Sequence, residues 1–474
     1  MAKQDDSAAA ALRKLPSVDA LLRDPDLEDS TARLGRTVVV NSIRQAIEEL
    51  REQFSSQGIS GLDEGAIRQR IVADVHRRLK AMGESYYRKA INATGIILHT
   101  ALGRAVLPTQ VLHQIQDTLA GYSLLQADTQ TGKRSKRDAR IEQLLQQLTG
   151  AEAATVVNNN AAATSIVLNT VAKGKEVIVS RGQLVEIGGS FRLPDVMAFS
   201  GAKLVEVGTT NKTHARDYVN AITENTAAIL RVHPSNYKIR GFTSEVLLGE
   251  LVEIAHSRGL IVIDDVGAGA LIDFSQFGFE PEPTLAESIR TGADIVTCST
   301  DKLIGASQGG IILGKAALID AIRRNQFARI VRVGKLTLAT LEATLKLFLD
   351  ESLALREVPT LRMLRRDQSE IAKYANRLAS RIGKAVSGIA VSTVPGFSQM
   401  GSGSLPDQDL PTTLVALRCE KPGAELLATQ LRQYRTPVFT RIQDDQVLID
   451  PRTLLNGDDK IIVEALIEIL GGSE

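Results

Sequence analysis

The chain has 474 residues, and its 56 Lys and Arg residues almost balance its 55 Asp and Glu residues, giving a formal net charge of +1. This balance excludes a protein that holds nucleic acid by bulk positive charge alone, although a local basic patch remains compatible with it. Aromatic residues make up only 4% of the chain and Trp is absent, so a base-stacking platform for single strands is not expected. Two cysteines and scattered histidines predict neither a disulfide framework nor a metal site.

The sequence shows no membrane or secretion signal. Its longest apolar runs, such as residues 261–263, are far shorter than the roughly 20 residues that span a bilayer. Residues 1–11 are acidic and Ala-rich and contain no apolar segment of a signal peptide. We therefore expect a cytoplasmic protein.

Residues 1–85 are predicted to form a helical domain. Apolar residues recur every three or four positions over 40–54 and again over 67–82, with a turn-like segment at 58–61 between them. Basic residues flank the second stripe, and they form either a solvated helical face or an anion-binding face. The basic residues of interest on this face are Arg68, Arg77 and Arg78.

From residue 90 onward, short β-rich segments alternate with helical patterns, which predicts an α/β fold with a mainly parallel sheet covered on both faces. The candidate strands are 155–157, 176–179, 204–207, 228–232, 261–263 and 295–297. A long helix over 336–355 is predicted to lead into a smaller α/β unit that contains a loop at 396–403. These patterns predict a large domain over 86–355 and a small C-terminal domain over 356–474.

Two nucleotide-binding motifs are nearly matched and are rejected. The segment 309–315 has the spacing of a P-loop, but Ala316 replaces the hydroxyl residue that would hold magnesium, and the segment's interior is typical of a strand. The segment 267–269 follows a strand, but Ile272 stands where a dinucleotide-binding fingerprint needs Gly or Ala.

Polar residues at several predicted strand ends form an ordered set. Asn159, Asn160 and Ala161 lie between a strand and a helix, where free backbone amides favour a phosphate. Because the carboxyl ends of parallel strands form the ligand site, the polar residues after the later strands are expected nearby. Those residues are Asn236, Asp264, Asp265, Ser299 and Lys302.

A phosphate loop, an aspartate and a Ser-x-x-Lys segment, in that order, are what pyridoxal phosphate requires. The loop would cradle the phosphate, one aspartate would pair with the protonated ring nitrogen, and Lys302 would form the Schiff base. A strand-end aspartate is more often a cap than a cofactor ligand, so the prediction depends on the whole set.

The chain resembles the bacterial L-seryl-tRNA(Sec) selenium transferase family, also called selenocysteine synthase, nearly end to end. The resemblance is carried by long strings, among them Ile-Asn-Ala-Thr-Gly at 91–95, Val-His-Pro-Ser-Asn-Tyr at 232–237 and Asp-Lys-Leu-Ile-Gly at 301–305. Departures from the family pattern lie around the pocket, near Gly267, Thr300, Ala306 and Gly334. The family resemblance implies a pyridoxal-phosphate-dependent transferase fold of the aminotransferase type, with Lys302 as the Schiff-base lysine and Asp265 as the partner of the ring nitrogen.

The same resemblance implies the substrates and the assembly. It implies conversion of seryl-tRNA(Sec) to selenocysteinyl-tRNA(Sec) with selenophosphate, through elimination of the serine hydroxyl and addition of selenium to a dehydroalanyl intermediate. It places Arg104, Arg329 and Arg332 around the selenium-bearing anion, and we expect the last two to share one helical face. It further implies that the N-terminal domain binds tRNA(Sec) and that the protein is a ring-shaped homodecamer of five dimers.

Two other functions remain open from the sequence. One is a different pyridoxal-phosphate lyase or aldolase that acts on a small amino acid, against which the N-terminal helical domain argues. The other is a cofactor-free scaffold that binds tRNA. Absorbance of the bound cofactor would separate the scaffold from both enzymes.

Overall fold

The computed structural model describes residues 12–57, 63–189 and 191–471. The chain divides into two compact units, residues 1–89 and residues 90–474. The expected turn at 58–61 and the N-terminal segment 1–11 lie outside the described residues. The three-domain division with boundaries at 85 and 355 stays a prediction.

The first unit is helical, as the apolar stripes predicted. Its longest helices contain those stripes, and their apolar side chains form one core with Ile43, Phe54, Ile67 and Val75 fully buried. The helices are α1 (Val18–Leu22), α2 (Pro25–Leu34), α3 (Arg36–Gln57) and α4 (Glu64–Gly83). Asp63 caps α4 by accepting a hydrogen bond from the amide of Ala66, which fixes where this helix begins.

The second unit is built around a seven-stranded sheet with the strand order β2-β10-β9-β8-β7-β3-β6. The strands of this unit are β1 (Ile91–Asn92), β2 (Ala153–Val157), β3 (Glu176–Ser180), β4 (Glu186–Ile187), β5 (Phe191–Arg192), β6 (Lys203–Val207), β7 (Thr226–Val232), β8 (Ile261–Asp265), β9 (Ile295–Ser299), β10 (Gly310–Gly314), β11 (Ala390–Ser398), β12 (Leu410–Arg418), β13 (Val438–Phe439), β14 (Arg441–Gln443) and β15 (Gln446–Ile449). All six candidate strands are confirmed. Only β10 runs antiparallel within the large sheet, and it occupies the rejected P-loop segment.

Helices cover both faces of the large sheet. They are α5 (Thr109–Leu119), α6 (Ala139–Thr149), α7 (Asn160–Val171), α8 (Leu193–Ser200), α9 (Ala215–Ala221), α10 (Leu248–His256), α11 (Leu285–Thr291), α12 (Ala316–Arg324), α13 (Phe327–Ile330) and α14 (Lys335–Leu347). One face of the sheet packs on α7, α8 and α12, and the other packs on α9 and α10 and on a core that includes α6, α11 and α14. This double cover explains why the strands are almost continuously apolar.

The prediction of one long helix over 336–355 is wrong, because two separate helices occupy this segment. α14 ends at Leu347, and the carboxylate of Asp350 accepts hydrogen bonds from the amides of Ser352 and Leu353 to start a new helix. The helices from there to the C-terminus are α15 (Glu351–Glu357), α16 (Pro359–Arg365), α17 (Gln368–Ala385), α18 (Ala424–Gln433) and α19 (Asp458–Gly471). A capping aspartate inside an apolar pattern was the signal for the break.

The C-terminal part contains a second sheet, with the order β11-β12-β15-β14 and antiparallel pairing. Its core is shared with α17, α18 and α19. The loop predicted over 396–403 is partly wrong, because β11 continues to Ser398 and Gly396 pairs with Thr412 of β12. A cross-strand partner therefore keeps this glycine extended. Among the described residues, no helix combines the length and apolarity needed to cross a membrane.

Candidate active site

The Asn-rich loop joins β2 to the N-terminus of α7, as predicted. The side chain of Asn159 accepts a hydrogen bond from the amide of Ala162 at 2.8 Å and caps the helix. The amides of Asn160 and Ala161 belong to the first helical turn, where no intrahelical acceptor exists. These two amides and the positive end of the helix form a site for a phosphate group.

Gly310 in β10 lets the neighbouring strand approach this loop closely. A Cβ atom on Gly310 would lie 2.2 Å from the carbonyl oxygen of Asn159, which is far inside van der Waals contact. Any larger residue at this position would displace the loop from the sheet. The position of the phosphate site thus depends on an antiparallel strand that comes much later in the chain.

Asp265 lies at the end of β8 and is 3% exposed. Its Oδ1 accepts hydrogen bonds from Asn160 Nδ2 at 2.8 Å and from the Gly267 amide at 3.0 Å, and its Oδ2 accepts one from Thr164 Oγ1 at 2.8 Å. Burial raises the pKa of the Asp265 carboxyl, and the three hydrogen bonds oppose that rise. The carboxylate is therefore held in one orientation from the α7 side of the sheet.

The adjacent Asp264 has a different role. Successive side chains of a strand point to opposite faces, and Asp264 pairs with Arg231 of β7 at 2.9 Å on the other face of the sheet. The sequence left either aspartate open as the cofactor partner. The alternation of β8 favours Asp265, because only Asp265 faces the Asn-rich helix.

Lys302 lies in a turn that follows β9 and is 7% exposed. The turn is closed by hydrogen bonds from the Thr300 amide to Gly309, from the Ala306 amide to Thr300 and from the Gly305 amide to Lys302. Burial lowers the pKa of the Lys302 amine, with Asp301 raising it, Arg104 lowering it and Asp265 raising it. Within the described part of the chain, the amine forms no salt bridge, so it is available to react.

Arg104 is connected to the Lys302 turn by an ion pair with Asp301. Its guanidinium forms a 2.7 Å ion pair with the Asp301 carboxylate, next to Lys302 in the chain. Arg104 has a positive φ of 62°, an uncommon conformation for a residue with a side chain, and the ion pair fixes the direction of its side chain. The sequence predicted Arg104 as a site residue but gave no sign of its partner Asp301.

Ser299 and Asn236 lie at the predicted strand ends. The amide of Ser299 donates to the carbonyl of Gly267 at 2.8 Å, which joins the ends of β8 and β9. Asn236 Nδ2 donates to the carbonyl of Glu186 at 2.8 Å, and its Oδ1 is buried without a partner among the described residues. Neither side chain forms a hydrogen bond with Asp265 or Lys302 in the described structure, so their cofactor roles stay predictions.

The residues of this site fit pyridoxal phosphate. Each carboxylate oxygen has two lone pairs, so Asp265 Oδ2, which accepts only from Thr164, keeps one acceptor position for a ring N–H group. Asn160 Oδ1 is buried and lacks a partner among the described residues, which leaves a polar atom for a ligand to satisfy. Lys302 supplies the amine, and the first turn of α7 supplies donors for a phosphate. Among the described residues, no cluster of metal-ligating side chains exists.

Comparison with known proteins identifies the family of the chain. The family described as L-seryl-tRNA selenium transferase matches residues 90–455, and the one described as selenocysteine synthase N terminal matches residues 12–51. The chain belongs to the L-seryl-tRNA selenium transferase family. The predicted family and enzyme class, a transferase, are therefore confirmed.

Two curated relatives and one solved structure illustrate the similarity. The L-seryl-tRNA(Sec) selenium transferase of Alkaliphilus metalliredigens (strain QYMF) is 46% identical over 461 residues, which cover 96% of this chain and 98% of that protein. The enzyme of the same name from Solidesulfovibrio magneticus (strain ATCC 700980 / DSM 13731 / RS-1) is also 46% identical, over 96% of this chain and 97% of that protein. The structure of D-glucosaminate-6-phosphate ammonia-lyase covers 83% of this chain and 97% of its own, with a TM-score of 0.55 and 21% identity.

The fold of this selenium transferase family member is the predicted one. It is an α/β fold with a mainly parallel central sheet, as the ammonia-lyase structure also has, together with a helical N-terminal region. The likeness to the ammonia-lyase concerns the fold alone, since the two sequences share few residues.

The remaining arginines that the family resemblance singled out form a separate cluster. Arg329 lies in α13, but that helix ends at Ile330, and Arg332 instead forms a bridge to Val157 at the end of β2. The prediction that these two arginines share a helical face is therefore wrong. The positive charges of Arg137, Arg329 and Arg134, in that order, lower the pKa of Arg332, so four arginines lie near one another.

This arginine cluster lies beside the Asn-rich loop, because the amide of Asn158 donates to the carbonyl of Val331 at 3.0 Å. Arg137 Nη1 donates to the carbonyl of Val333 at 2.9 Å, which fixes its side chain against the same segment. Arg104 is not among the charges that act on Arg332. The sequence analysis missed Arg134 and Arg137, although the run of basic residues from 133 to 140 was a visible signal.

The predicted tRNA-binding arginines of the N-terminal unit are held by carboxylates. Arg68 pairs with Asp24 at 2.8 Å, and Arg78 pairs with Asp74 at 2.8 Å and with Glu49 of α3 at 2.5 Å. Arg77 also pairs with Asp74, but its side chain is 78% exposed, whereas that of Arg78 is 22% exposed. Only Arg77 of the three thus combines high exposure with a position on the outer surface of α4.

Proposed function

We propose that this protein converts L-seryl-tRNA(Sec) into L-selenocysteinyl-tRNA(Sec), using selenophosphate, with pyridoxal phosphate bound at Lys302. The observation that carries the proposal is the convergence of Lys302, Asp265 and the N-terminus of α7 in a chain of this family. Pyridoxal phosphate, when bound, supplies an electron sink that stabilises negative charge at the α-carbon of the amino acid.

The chain's own residues have distinct roles in this proposal. The Asn160 and Ala161 amides bind the phosphate, and Asp265 accepts a hydrogen bond from the ring nitrogen. The Lys302 amine attaches the cofactor and then moves the proton of the serine α-carbon. Because burial lowers its pKa, a larger fraction of this amine is neutral at a given pH than for a solvated lysine, as a base requires.

The arginines are proposed to bind the selenium-bearing anion. The carboxyl group of the serine is esterified to tRNA, so this substrate carries no free carboxylate for an arginine to bind. Arg104 beside Lys302, and the cluster that includes Arg329 and Arg332, are thus available for a phosphate-like ion.

The assembly and location of the protein are proposals as well. We infer a ring-shaped homodecamer in the cytoplasm, with the N-terminal unit binding tRNA(Sec). Sedimentation velocity of the purified protein tests the assembly, and a species of ten chains is expected. A homodimer as the largest species would contradict this assignment.

The decisive experiment incubates the protein with radiolabelled seryl-tRNA(Sec) and selenophosphate and identifies the amino acid released from the tRNA. Selenocysteine is expected, and free serine and seryl-tRNA(Ser) serve as matched control substrates that should not react. Conversion of free serine would favour the lyase or aldolase function. A protein that binds tRNA but shows no cofactor absorbance would favour the scaffold.

A further inference from the structure

A second cavity lies at the carboxyl ends of β3, β6 and β7. Its volume is about 370 Å³, within the range of small-molecule sites. Ligands of α/β sheets bind beyond the carboxyl ends of the strands, so the location suits a binding site. None of the residues assigned above to pyridoxal phosphate or to selenophosphate lines this cavity.

Flat apolar side chains form part of its walls. Pro234, Tyr237, Pro281 and Pro406 all line the cavity. The hydroxyl group of Tyr237 donates to the carbonyl of Gly182, so the ring is held in place. Rigid aromatic and proline faces provide a surface against which a planar ring can stack.

The charged side chains that line the cavity balance in number, with Arg231, Lys212 and Lys238 against Glu245, Glu280 and Glu282. Arg231 at the inner end pairs with Asp264, and at the rim His233 lies 2.9 Å from Glu282 while Lys238 pairs with Glu280. A cavity whose charges balance does not attract a polyanion, but its polar atoms can form hydrogen bonds with a neutral ligand. Thr210 and Ser244 add hydroxyl groups to the lining.

The cavity shares a segment with the reaction site. His233, Pro234 and Tyr237 of this segment line it, and the amide of His233 donates to the carbonyl of Asp265 at 2.9 Å. Ser235 lies against Gly267, where an added Cβ atom would be 3.2 Å from the Ser235 hydroxyl oxygen. One short segment therefore contacts both the cavity and the aspartate that would hold the cofactor ring.

We propose that this cavity binds the terminal nucleoside of the aminoacyl-tRNA. The inference rests on the proposed function, in which serine is esterified to the ribose of that nucleoside. The nucleoside must then lie within a few bond lengths of the reacting amino acid. Its base is planar, uncharged and rich in hydrogen-bonding groups, and it matches the flat walls and the balanced charge of the cavity.

Binding of a hydrolysis-resistant analogue tests the inference. The probe is 3′-seryl-amido-3′-deoxyadenosine, and serine amide is the comparison compound that lacks the nucleoside. The full-length, cofactor-loaded protein is expected to bind the probe at least about tenfold more tightly than serine amide, as a few good contacts would give. Equal dissociation constants for the two compounds would overturn the proposal.

Cavity-filling variants locate the nucleoside. Ser244→Phe and Thr210→Phe each place a large side chain in the cavity, while Ser257→Phe adds the same side chain at an exposed position after α10. The first two are expected to lose the tenfold preference while retaining cofactor absorbance, and the third is expected to keep it. A folded Ser244→Phe or Thr210→Phe protein that binds the probe like wild type would overturn the proposal.

Failure of the inference is distinguishable from failure of the proposed function. If the wild-type protein makes selenocysteinyl-tRNA and the cavity variants make it with an unchanged KM, the nucleoside site is wrong and the function stands. If the wild-type protein makes no such product, the proposed function is wrong, and the inference that rests on it is overturned too.

Discussion

At the scale of single residues, the environment of Lys302 sets its reactivity. Burial is the largest influence on its pKa, and it lowers that pKa below the value of a solvated lysine. The neighbouring Asp301 would raise the pKa, but its charge is shared with Arg104. The amine therefore loses its proton at a lower pH than a solvated lysine.

The first prediction concerns the attachment of pyridoxal phosphate to the apo-protein. The rate of attachment should rise with pH and level off below the pKa of a solvated lysine, about 10.4, because only the neutral amine reacts. Stopped-flow absorbance measures this profile. Lys302→Ala should abolish reductive trapping of the cofactor, whereas Lys203→Ala, at an exposed position, should not. Trapping of the cofactor on another lysine, located by mass spectrometry, would contradict the assignment.

Thr164 is a positioning residue that the sequence analysis missed. It lies one helical turn after Asn160 in α7, so both side chains reach the same carboxylate of Asp265 from one face of the helix. An i, i+4 pair of polar residues after a phosphate loop was the available signal. Nothing in the sequence alone indicated that a strand-end aspartate lies opposite it.

The second prediction is that Thr164→Val weakens binding of pyridoxal phosphate by about 10- to 100-fold, the worth of one hydrogen bond to a charged group. Loss of this donor also raises the pKa of Asp265 further, so the pH profile of the cofactor absorbance should shift upward. Equilibrium titration and a pH series of spectra provide the two measurements. Thr164→Ser keeps the hydroxyl group, so it should retain both the wild-type cofactor affinity and the wild-type pH profile. If the Val variant shows an unshifted pH profile, Thr164 contributes only to packing.

At the scale of elements, α4 carries two kinds of arginine, one that packs against a neighbouring helix and one that is exposed. Arg78 bridges α4 to Glu49 of α3, so it contributes to the packing of these two helices. The ion pair that Arg77 forms in the described structure is with Asp74, one turn earlier on its own helix. The two residues are adjacent in sequence and of the same type. Their different exposure follows from the helical rotation of about 100° between neighbouring positions.

The third prediction uses this contrast. Arg78→Ala should lower the stability of the N-terminal unit by about 1 kcal/mol, whereas Arg77→Ala should change it by less than about 0.5 kcal/mol. Arg77→Ala should nevertheless weaken tRNA binding and reduce the salt slope by about one unit if Arg77 contacts a phosphate. Thermal unfolding and filter binding at several salt concentrations measure the two effects. An unchanged salt slope for Arg77→Ala would exclude a phosphate contact.

At the scale of the whole molecule, two compact units divide the proposed tasks. The residues assigned to the cofactor all follow residue 90, and the arginines assigned to tRNA all precede it. Each unit has its own apolar core, that of the first being formed by α1 to α4. Separate cores allow the two tasks to be separated experimentally.

The fourth prediction follows from that division. A protein that begins at Ala90 should fold and bind pyridoxal phosphate with the wild-type absorbance, because its sheet and site residues are complete. Its affinity for tRNA(Sec) should fall steeply, since phosphate contacts provide most of the nonspecific binding energy. Circular dichroism, cofactor absorbance and filter binding check these outcomes. A truncated protein that binds tRNA as tightly as the full chain would give the N-terminal unit a purely structural role.

The sequence by itself determined the family, the fold class and the order of the strands along the chain. These features depend on local patterns: apolar periodicity gave the helices and strands, and the strings around Asn160, Asp265 and Lys302 gave the chemistry. Lys302 could be assigned because its motif is contiguous. The break between α14 and α15 was missed because one capping aspartate outweighed a continuous apolar stripe.

Only the tertiary structure decided which side chains meet. It directed Asp265 rather than Asp264 toward α7, brought Thr164 to the carboxylate and paired Arg104 with Asp301. It also showed that Arg68 and Arg78 have carboxylate partners outside their own helix, and that Arg332 lies outside a helix. The physical reason is that these contacts join residues from 29 to 197 positions apart, so they depend on how the elements pack and leave no trace in local sequence.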